Sequence, residues 1–421
     1  MSFYKKIQPW FIWFLAASFF FCEYFARVDA GVMLDQLMQT FHVSAFAIGN
    51  LGAFFYYPYI IMQIPVGLLV DRFGPRRWLA GAAMVSAIGS VFFAVAHVFY
   101  LAQLGRFLIG LGAAFAFVSA VKLATIWFDH KRLGLLVGLT QGAGMLGAAL
   151  GSGFFATLVE ILGWRGAMNL VSLVLAVFSI LIFLFVKDKR SSLLGHVVSI
   201  DQASLPFLDG LFIVLRSKQS WCNALYAGFL YAPTAALGEF WGVSFFRHID
   251  ALSLQYAGLL MGAIFIGWAL GGPLIGACSD QLKSRKPLMF VSVLMSLLLL
   301  CVLLLVAHLS FYLLLILMFS YGFFNTGVAI AYAVAGEIHD LSVVGMSVAF
   351  TNMVSILIGA LLQPVIGLLL DHYWKGGMLH GFKVYPVSAY YHVLLMLPVT
   401  LLVSLLFLFF IKESYRVNYN D

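Results

Sequence analysis

Gly67-Leu-Leu-Val-Asp71-Arg72-Phe-Gly74-Pro-Arg76-Arg77 is a short charged stretch between two long apolar runs, and it occurs twice. The second copy is Gly276-Ala-Cys-Ser-Asp280-Gln-Leu-Lys-Ser-Arg285-Lys286. It keeps the glycine, the acid and the basic pair at a constant offset of 209 residues (67 to 276, 71 to 280, 76 to 285, 77 to 286). Such a repeat divides the 421 residues into two equivalent halves. Each copy follows an even-numbered apolar run, so the second half replays the first in the same orientation, the pattern of parallel repeats.

Outward from these loops the chain is a series of apolar runs. The spans are expected at 9–33, 45–70, 78–97, 99–126, 133–159, 167–186, 220–246, 254–278, 287–307, 310–336, 342–370 and 386–411. Hydrophobic residues make up 63% of the chain and charged ones 10%, with a mean hydropathy of +1.01. That leaves too little polar surface to cover a water-facing globule, so lipid must cover it. Runs of roughly 20 residues at 1.5 Å per residue cross a hydrocarbon core of ~30 Å as helices. The alternation that marks barrel strands is missing, and in lipid only helices and closed barrels satisfy their backbone. The expected fold is an all-α membrane protein of twelve transmembrane helices in two pseudo-twofold related six-helix bundles. They occupy residues 1–186 and 220–421, joined by a polar cytoplasmic linker at 187–219.

The net charge of +7 is distributed as a topology signal, not as a nucleic-acid surface. With the N-terminus inside, Lys5, Lys6, Arg72, Arg76, Arg77, Lys131, Arg132, Lys187, Lys189, Arg190, Arg216, Lys218, Lys283, Arg285, Lys286, Lys412 and Arg416 fall in the cytoplasm. Only Arg165, Arg247, Lys375 and Lys383 fall outside. The asymmetry predicts an inner-membrane protein with both termini cytoplasmic. The first helix has no small-residue cleavage pattern and is expected to remain as a span. Cys22, Cys222, Cys278 and Cys301 show no metal or redox spacing and read as packing residues; no cofactor or metal is expected.

In the repeated loop the glycine lets helices approach, while the aspartate and basic pair can bind helix ends and carboxylates. This predicts a cytoplasmic gate of Gly67, Asp71, Arg72, Arg76 and Arg77 with Asp129 as partner. Its second copy comprises Gly276, Asp280, Arg285 and Lys286, with Glu337 or Asp340 as partner. Ionisable residues within apolar spans are costly and point to the solute pathway. They are Glu23, Arg27, Asp29, Arg106, Lys122 and Glu239. Glu23 and Arg27, four apart, share a helix face and can neutralise each other. A second reading has Arg27 and Asp29 snorkel to the outer interface, and Lys122 to the cytoplasmic one. Arg106 needs a carboxylate partner or a wet cavity. Glu239 lies in a run interrupted by Gly228, Pro233 and Gly238, and irregular backbone at membrane depth lines cavities. Gln141, Asn325 and Asn352 are amides needing polar partners, and Tyr231 and Trp268 complete the candidate solute and coupling residues. Tyr56, Tyr57, Tyr59 and Tyr226 are expected mainly in packing roles.

The stretch Gly67 to Arg77 resembles the signature loop between helices two and three of the major facilitator superfamily. The copy at Gly276 to Lys286 lies where that family repeats it, and Arg106-Phe-Leu-Ile-Gly110-Leu-Gly112 resembles a second motif, on helix four. The resemblance covers essentially the whole chain and implies alternating access around a central solute site. The stretch Gly142-Ala-Gly144-Met-Leu-Gly147-Ala-Ala-Leu-Gly151 lacks the glycine-proline pair of the family's antiporters, which favours uptake. Arg27-Val-Asp29-Ala-Gly31-Val-Met33 and Lys122-Leu-Ala-Thr-Ile-Trp127-Phe128 resemble a bacterial branch related to amino-acid and nucleoside importers of intracellular pathogens. That branch implies proton-coupled uptake of amino acids or similar small polar metabolites.

The leading expectation is therefore a monomeric secondary importer with a small-molecule solute and protons as partners. An importer or exporter of an organic anion or siderophore is the alternative in the same class, favoured by Arg27, Arg106 and Lys122. No Gly-x-x-x-x-Gly-Lys-Ser/Thr loop supplies an ATP motor. No nucleophile with its base suggests an intramembrane enzyme. A receptor or scaffold that carries nothing is the reading from another class.

Overall fold

The computed structural model describes residues 2–188, 207–306, 308–340, 343–379 and 382–415. Helix α1 (Ser2–Val32) is followed by the short α2 (Leu34–Phe41). Ser44 caps α3 (Ala45–Phe73) by accepting from the Ala47 amide. Gly74, at φ +84°, turns the chain into α4 (Pro75–Ala94), whose first residue is a proline that has no amide to leave unpaired. The fourth expected span is interrupted after Ala113, giving α5 (Phe99–Ala113) and α6 (Ala116–Trp127).

The fifth and sixth expected spans form one continuous element, α7 (Leu133–Phe185), broken only at Gly163, where φ is +69°. Helical geometry therefore runs through 160–166, where a loop was expected, and one glycine makes the turn. Within the expected linker, α8 (Phe207–Arg216) is helical and seats Val214 against Ala224, Phe350 and Val354. Linker residues 189–206 lie outside the described residues.

The seventh expected span is α9 (Lys218–Pro233), a π-helical stretch (Thr234–Trp241) and α10 (Gly242–Ile249). Then follow α11 (Leu254–Gln281), α12 (Lys286–Leu305), α13 (Phe311–Asn325), α14 (Gly327–Glu337) and α15 (Val344–His372). A hairpin of two-residue strands, Met378–Leu379 and Phe382–Lys383, leads to α16 (Val387–Leu394) and α17 (Met396–Phe410). The tenth span breaks at Thr326, as the fourth does near Ala114, so the repeat extends to helix irregularities.

Ten helices among the described residues are long and apolar enough to cross a membrane. Since α7 turns back at Gly163 and the seventh span is divided by its π segment, twelve crossings result. Outward-facing apolar side chains such as Leu173, Leu184, Val399 and Phe409 are exposed along these helices, as a lipid-facing surface requires.

The chain forms two compact units that cut across the sequence halves. The first comprises Met1–Gly195, Glu239–Gly262 and Gln363–Pro386. The second comprises His196–Gly238, Ala263–Leu362 and Val387–Asp421. The division falls inside the π segment, inside α11 and inside α15.

Candidate functional site

Five ionisable side chains are buried together in the first unit: Glu23, Arg27, Asp29, Arg106 and Glu239, each 3% exposed or less. Glu23 and Arg27, one turn apart on α1, pair directly, with Arg27 Nη2 donating to Glu23 Oε1 at 2.5 Å and Nε at 3.2 Å. The Arg27 guanidinium also lies over the Tyr24 ring, 4.1 Å from its centroid, with the Tyr59 and Phe55 rings at 5.2 and 5.5 Å. These aromatic faces supply negative quadrupole where water is excluded.

Arg106, on α5, reaches the same helix from the other side. Its Nη1 donates to Asp29 Oδ1 at 2.7 Å and to the Ala26 carbonyl at 2.5 Å, and its Nη2 to the Arg27 carbonyl at 2.6 Å. Asp29 and Arg27 thus do not reach an interface, as a snorkelling reading would have it. Each is buried against a counter-charge, since a second charged helix was close enough to meet them. The Phe55 ring has both guanidiniums close by, Arg106 lying 4.9 Å from its centroid and Arg27 5.5 Å.

Glu239 comes from the π stretch, where backbone of unusual pitch presents the carboxylate to α3. The Tyr56 hydroxyl donates to Glu239 Oε2. Tyr56 is therefore a site residue, and the packing role expected for it is corrected. The cluster holds three carboxylates and two guanidiniums. Glu23 Oε2 and Asp29 Oδ2 are buried acceptors with no hydrogen-bond donor.

Lys122 is not part of this cluster. Its ammonium pairs with Asp71 Oδ1 at 2.6 Å, both side chains being partly exposed. At the end of α6 it is too close to the loop to reach the centre of the unit. Arg76 donates its amide to Asp188 Oδ1 at 2.8 Å and its guanidinium to the Phe183 carbonyl. The first loop is therefore held by Lys122, Asp188 and the end of α7, rather than by the exposed Asp129. Arg72 and Arg77 are exposed, and a Cβ on Gly67 would meet nothing within 4 Å, so close helix packing is not its role.

In the second unit Arg285 bridges Asp280 and Glu337, both at 2.7 Å, so Glu337 rather than Asp340 is its partner. Glu413 accepts from Ser284 Oγ and from the amides of Arg285 and Lys286 at the start of α12. Partial burial works to raise the Glu413 pKa, but these hydrogen bonds outweigh it and hold the carboxyl down at about 2. Gly276, like Gly67, has open space around its Cα, and Lys286 is engaged through its amide.

The amides and aromatics expected in the solute site are distributed as follows. Asn325 is buried, accepting from Thr234 Oγ1 at 2.9 Å and donating to the Leu230 carbonyl at 3.0 Å. Tyr231 and Trp268 meet edge to face with centroids 6.1 Å apart, and the Trp268 Nε1 is buried without an acceptor. Asn352 accepts from the Tyr332 hydroxyl at 2.9 Å. These four belong to the second unit, and Gln141, on α7 of the first, is exposed. Among the described residues no group of His, Cys, Asp and Glu is placed to hold a metal ion.

The sequence profile of the Major Facilitator Superfamily matches residues 12–334 and 237–421. The chain belongs to that superfamily. Among curated superfamily relatives it is 28% identical over 284 residues to the uncharacterized transporter YybO of Bacillus subtilis, covering 63% of this chain and 65% of YybO. It is 23% identical over 274 residues to the probable sulfoacetate transporter SauU of Cupriavidus necator, covering 63% and 64%. The chain thus spans just under two thirds of the length of these curated relatives. A bacterial homolog of the human lysosomal transporter Spinster, solved in an inward-facing and unoccupied conformation, superposes with a TM-score of 0.79. That match has 16% identity and covers 96% of both chains, so the likeness is one of fold.

Asp188 and Glu413 were not anticipated, although this superfamily chain carries a signal for them. Phe185-Val-Lys-Asp188 and Phe410-Ile-Lys-Glu413 close the two halves with the same order of apolar, basic and acidic residues. Each acid caps the helix that follows the repeated loop, at Arg76 and at Arg285.

Proposed function

We propose that this protein is a secondary transporter, not an enzyme, that takes up a small polar solute across the inner membrane. Alternating access between the halves 1–186 and 220–421 would be driven by protons. Both termini lie in the cytoplasm in this reading, and the monomer is the working unit. One observation carries it: the buried cluster of Glu23, Arg27, Asp29, Arg106 and Glu239 has one carboxylate more than it has guanidiniums. With all five side chains ionised the cluster carries a net charge of −1, which is costly to bury, and a proton on the Tyr56-bound Glu239 balances it. Proton uptake and the state of the site are thereby linked.

A zwitterionic amino acid or similar metabolite suits a site with both signs of charge, and the resemblance to amino-acid importers supports it. An organic anion is the second reading, favoured by the two guanidiniums and by the likeness to SauU. Counterflow in proteoliposomes with labelled amino acids against organic anions separates the two. Glu239→Gln is expected to abolish proton-driven accumulation while sparing solute exchange. Accumulation at the wild-type level would remove Glu239 from coupling. Absence of flux for any solute class would favour the receptor reading.

A further inference from the structure

Helix α8 packs one of its sides against the second unit. Val214 lies in a cluster with Ala224, Phe350 and Val354, and a Cβ on Gly210, one turn earlier, would stand 3.4 Å from Val343 Cγ1. At about 100° per residue, Leu211, Leu215 and Phe212 fall together on a second side, and Asp209 and Arg216 on a third. Phe212 and Leu215 are exposed and Leu211 is half-buried, while Asp209 and Arg216 are both exposed. The helix thus has a packed side, an exposed apolar side and a polar side. Ile213, also exposed, lies between the polar side and the packed one.

Contacts at its end fix the depth at which α8 lies. Trp221, on the first turn of α9, donates Nε1 to the Leu215 carbonyl at 2.9 Å, and its ring meets Phe350 edge to face. Gln219 donates Nε2 to the Phe410 carbonyl and accepts the Lys412 amide through Oε1, both at 2.9 Å. The end of α8 is therefore level with the start of α9 and the end of α17, where apolar runs give way to polar residues. Tryptophan at that depth is typical of a membrane interface. The apolar side of α8 continues a lipid-facing surface, since Phe409 and Phe410 of α17 are exposed.

Positive charge gathers at the same place. Arg216, Lys218 and Lys412 are exposed, and none forms an ion pair among the described residues. The Arg216 guanidinium lies over the Phe212 ring, 5.9 Å from its centroid, at the border between the apolar and polar sides. Asp209 is two turns away along the helix, and Glu413 is engaged by Ser284 and the amides of Arg285 and Lys286. The geometry points to an anionic phospholipid site. Helix α8 lies in the interface with Leu211, Leu215 and Phe212 among acyl chains, and Arg216, Lys218 and Lys412 hold the headgroup. An anionic phospholipid carries both parts that this surface matches, apolar tails and a negative charge beside them.

The test uses the full chain in nanodiscs, with Cys22, Cys222, Cys278 and Cys301 replaced by serine. A bimane label is placed on Leu215→Cys or, in a second protein, on Asp209→Cys. Both faces of a disc carry the same lipids, so the outcome does not depend on which way the chain is inserted. Phosphatidylcholine brominated in its acyl chains is expected to quench the label at 215, and aqueous iodide the one at 209. At equal mole fraction, brominated phosphatidylglycerol quenches the label at 215 more strongly than brominated phosphatidylcholine does. Its relative binding constant falls about fivefold for each of Arg216→Gln, Lys218→Gln and Lys412→Gln. Iodide reaching 215 as readily as 209 overturns the interfacial placement. A label at 215 shielded from both quenchers is covered by a protein partner or a second copy, and overturns it as well. Equal quenching by the two lipids overturns the anionic site. The comparison of the two lipids is made on a chain that keeps all three cations, so it decides the matter if a charge variant fails to fold. Solute flux enters none of these measurements, so the site and the transport reading stand or fall separately.

Discussion

Replacing Arg106 by glutamine takes away the one cation that Asp29 meets among the described residues, and two donors to α1 carbonyls. Both charged side chains are 1% exposed, so no water takes over. Breaking a buried pair by removing one member costs about 3–5 kcal/mol. The Ala26 and Arg27 carbonyls add about 1 kcal/mol each, and the glutamine amide returns about as much by reaching one of them. The expected net loss is about 4–6 kcal/mol. Much of it reflects the stranded carboxylate, so Asp29→Asn in the Arg106→Gln background should recover part of the loss, with a coupling of about 2 kcal/mol or more. Equilibrium unfolding of the purified protein in mixed detergent and dodecyl sulfate micelles measures all four corners of this cycle. A loss below about 1 kcal/mol, or strict additivity, would show that the pair is solvated and would refute the description of a dry Arg106–Asp29 pair.

The two loop latches should respond unequally. Lys122→Gln removes a half-exposed ion pair with Asp71 and is expected to cost under about 1 kcal/mol, whereas Arg285→Gln opens a largely buried fork to Glu337 and Asp280 and is expected to cost several times as much in the same unfolding assay. Glu413 has its folded pKa at about 2, below the ordinary 4.5, so its stabilisation is complete above the ordinary value and is lost as pH falls towards 2. Glu413→Gln should accordingly lower stability by about 1 kcal/mol or less near neutral pH, with the difference from wild type closing between pH 4.5 and 2. Tyr56→Phe removes the donor to Glu239 and is expected to shift the pH dependence of proton-driven uptake while leaving counterflow exchange intact; an unchanged profile would detach Tyr56 from coupling.

The spans and the duplicated loop were legible because lipid demands long apolar runs, and because Asp71 and Asp280 recur with their glycines and basic partners at one offset. The Glu23–Arg27 pair was legible for a similar reason: a helix fixes which face residues four apart share. The Arg106–Asp29 pair was not, since nothing local states which helix faces α5. Lys122 was left between the cavity and the cytoplasmic end because an apolar neighbourhood says that a lysine needs a partner without saying at which depth it finds one, and its pair with Asp71 places it at the loop. Asp188 and Glu413 escaped because their partners are backbone amides, which every residue but proline carries and no pattern of side chains reveals. The fifth and sixth spans were expected as separate helices because Arg165 reads as an outer-loop residue, whereas helical geometry carries through it and the single residue Gly163 makes the bend.

The π-helical stretch at Thr234–Trp241 makes the length of the seventh crossing a functional quantity. A π segment accommodates residues that an α-helix of the same rise would have no room for. Removing one of them upstream of Glu239 would let the segment rewind as ordinary helix, and each residue of such a helix turns the chain by about 100°. The shortened protein would keep every apolar run and both loops, yet its carboxylate would point away from Tyr56. In this chain, then, a single deletion that leaves every apolar run in place would separate the architecture from the chemistry it carries.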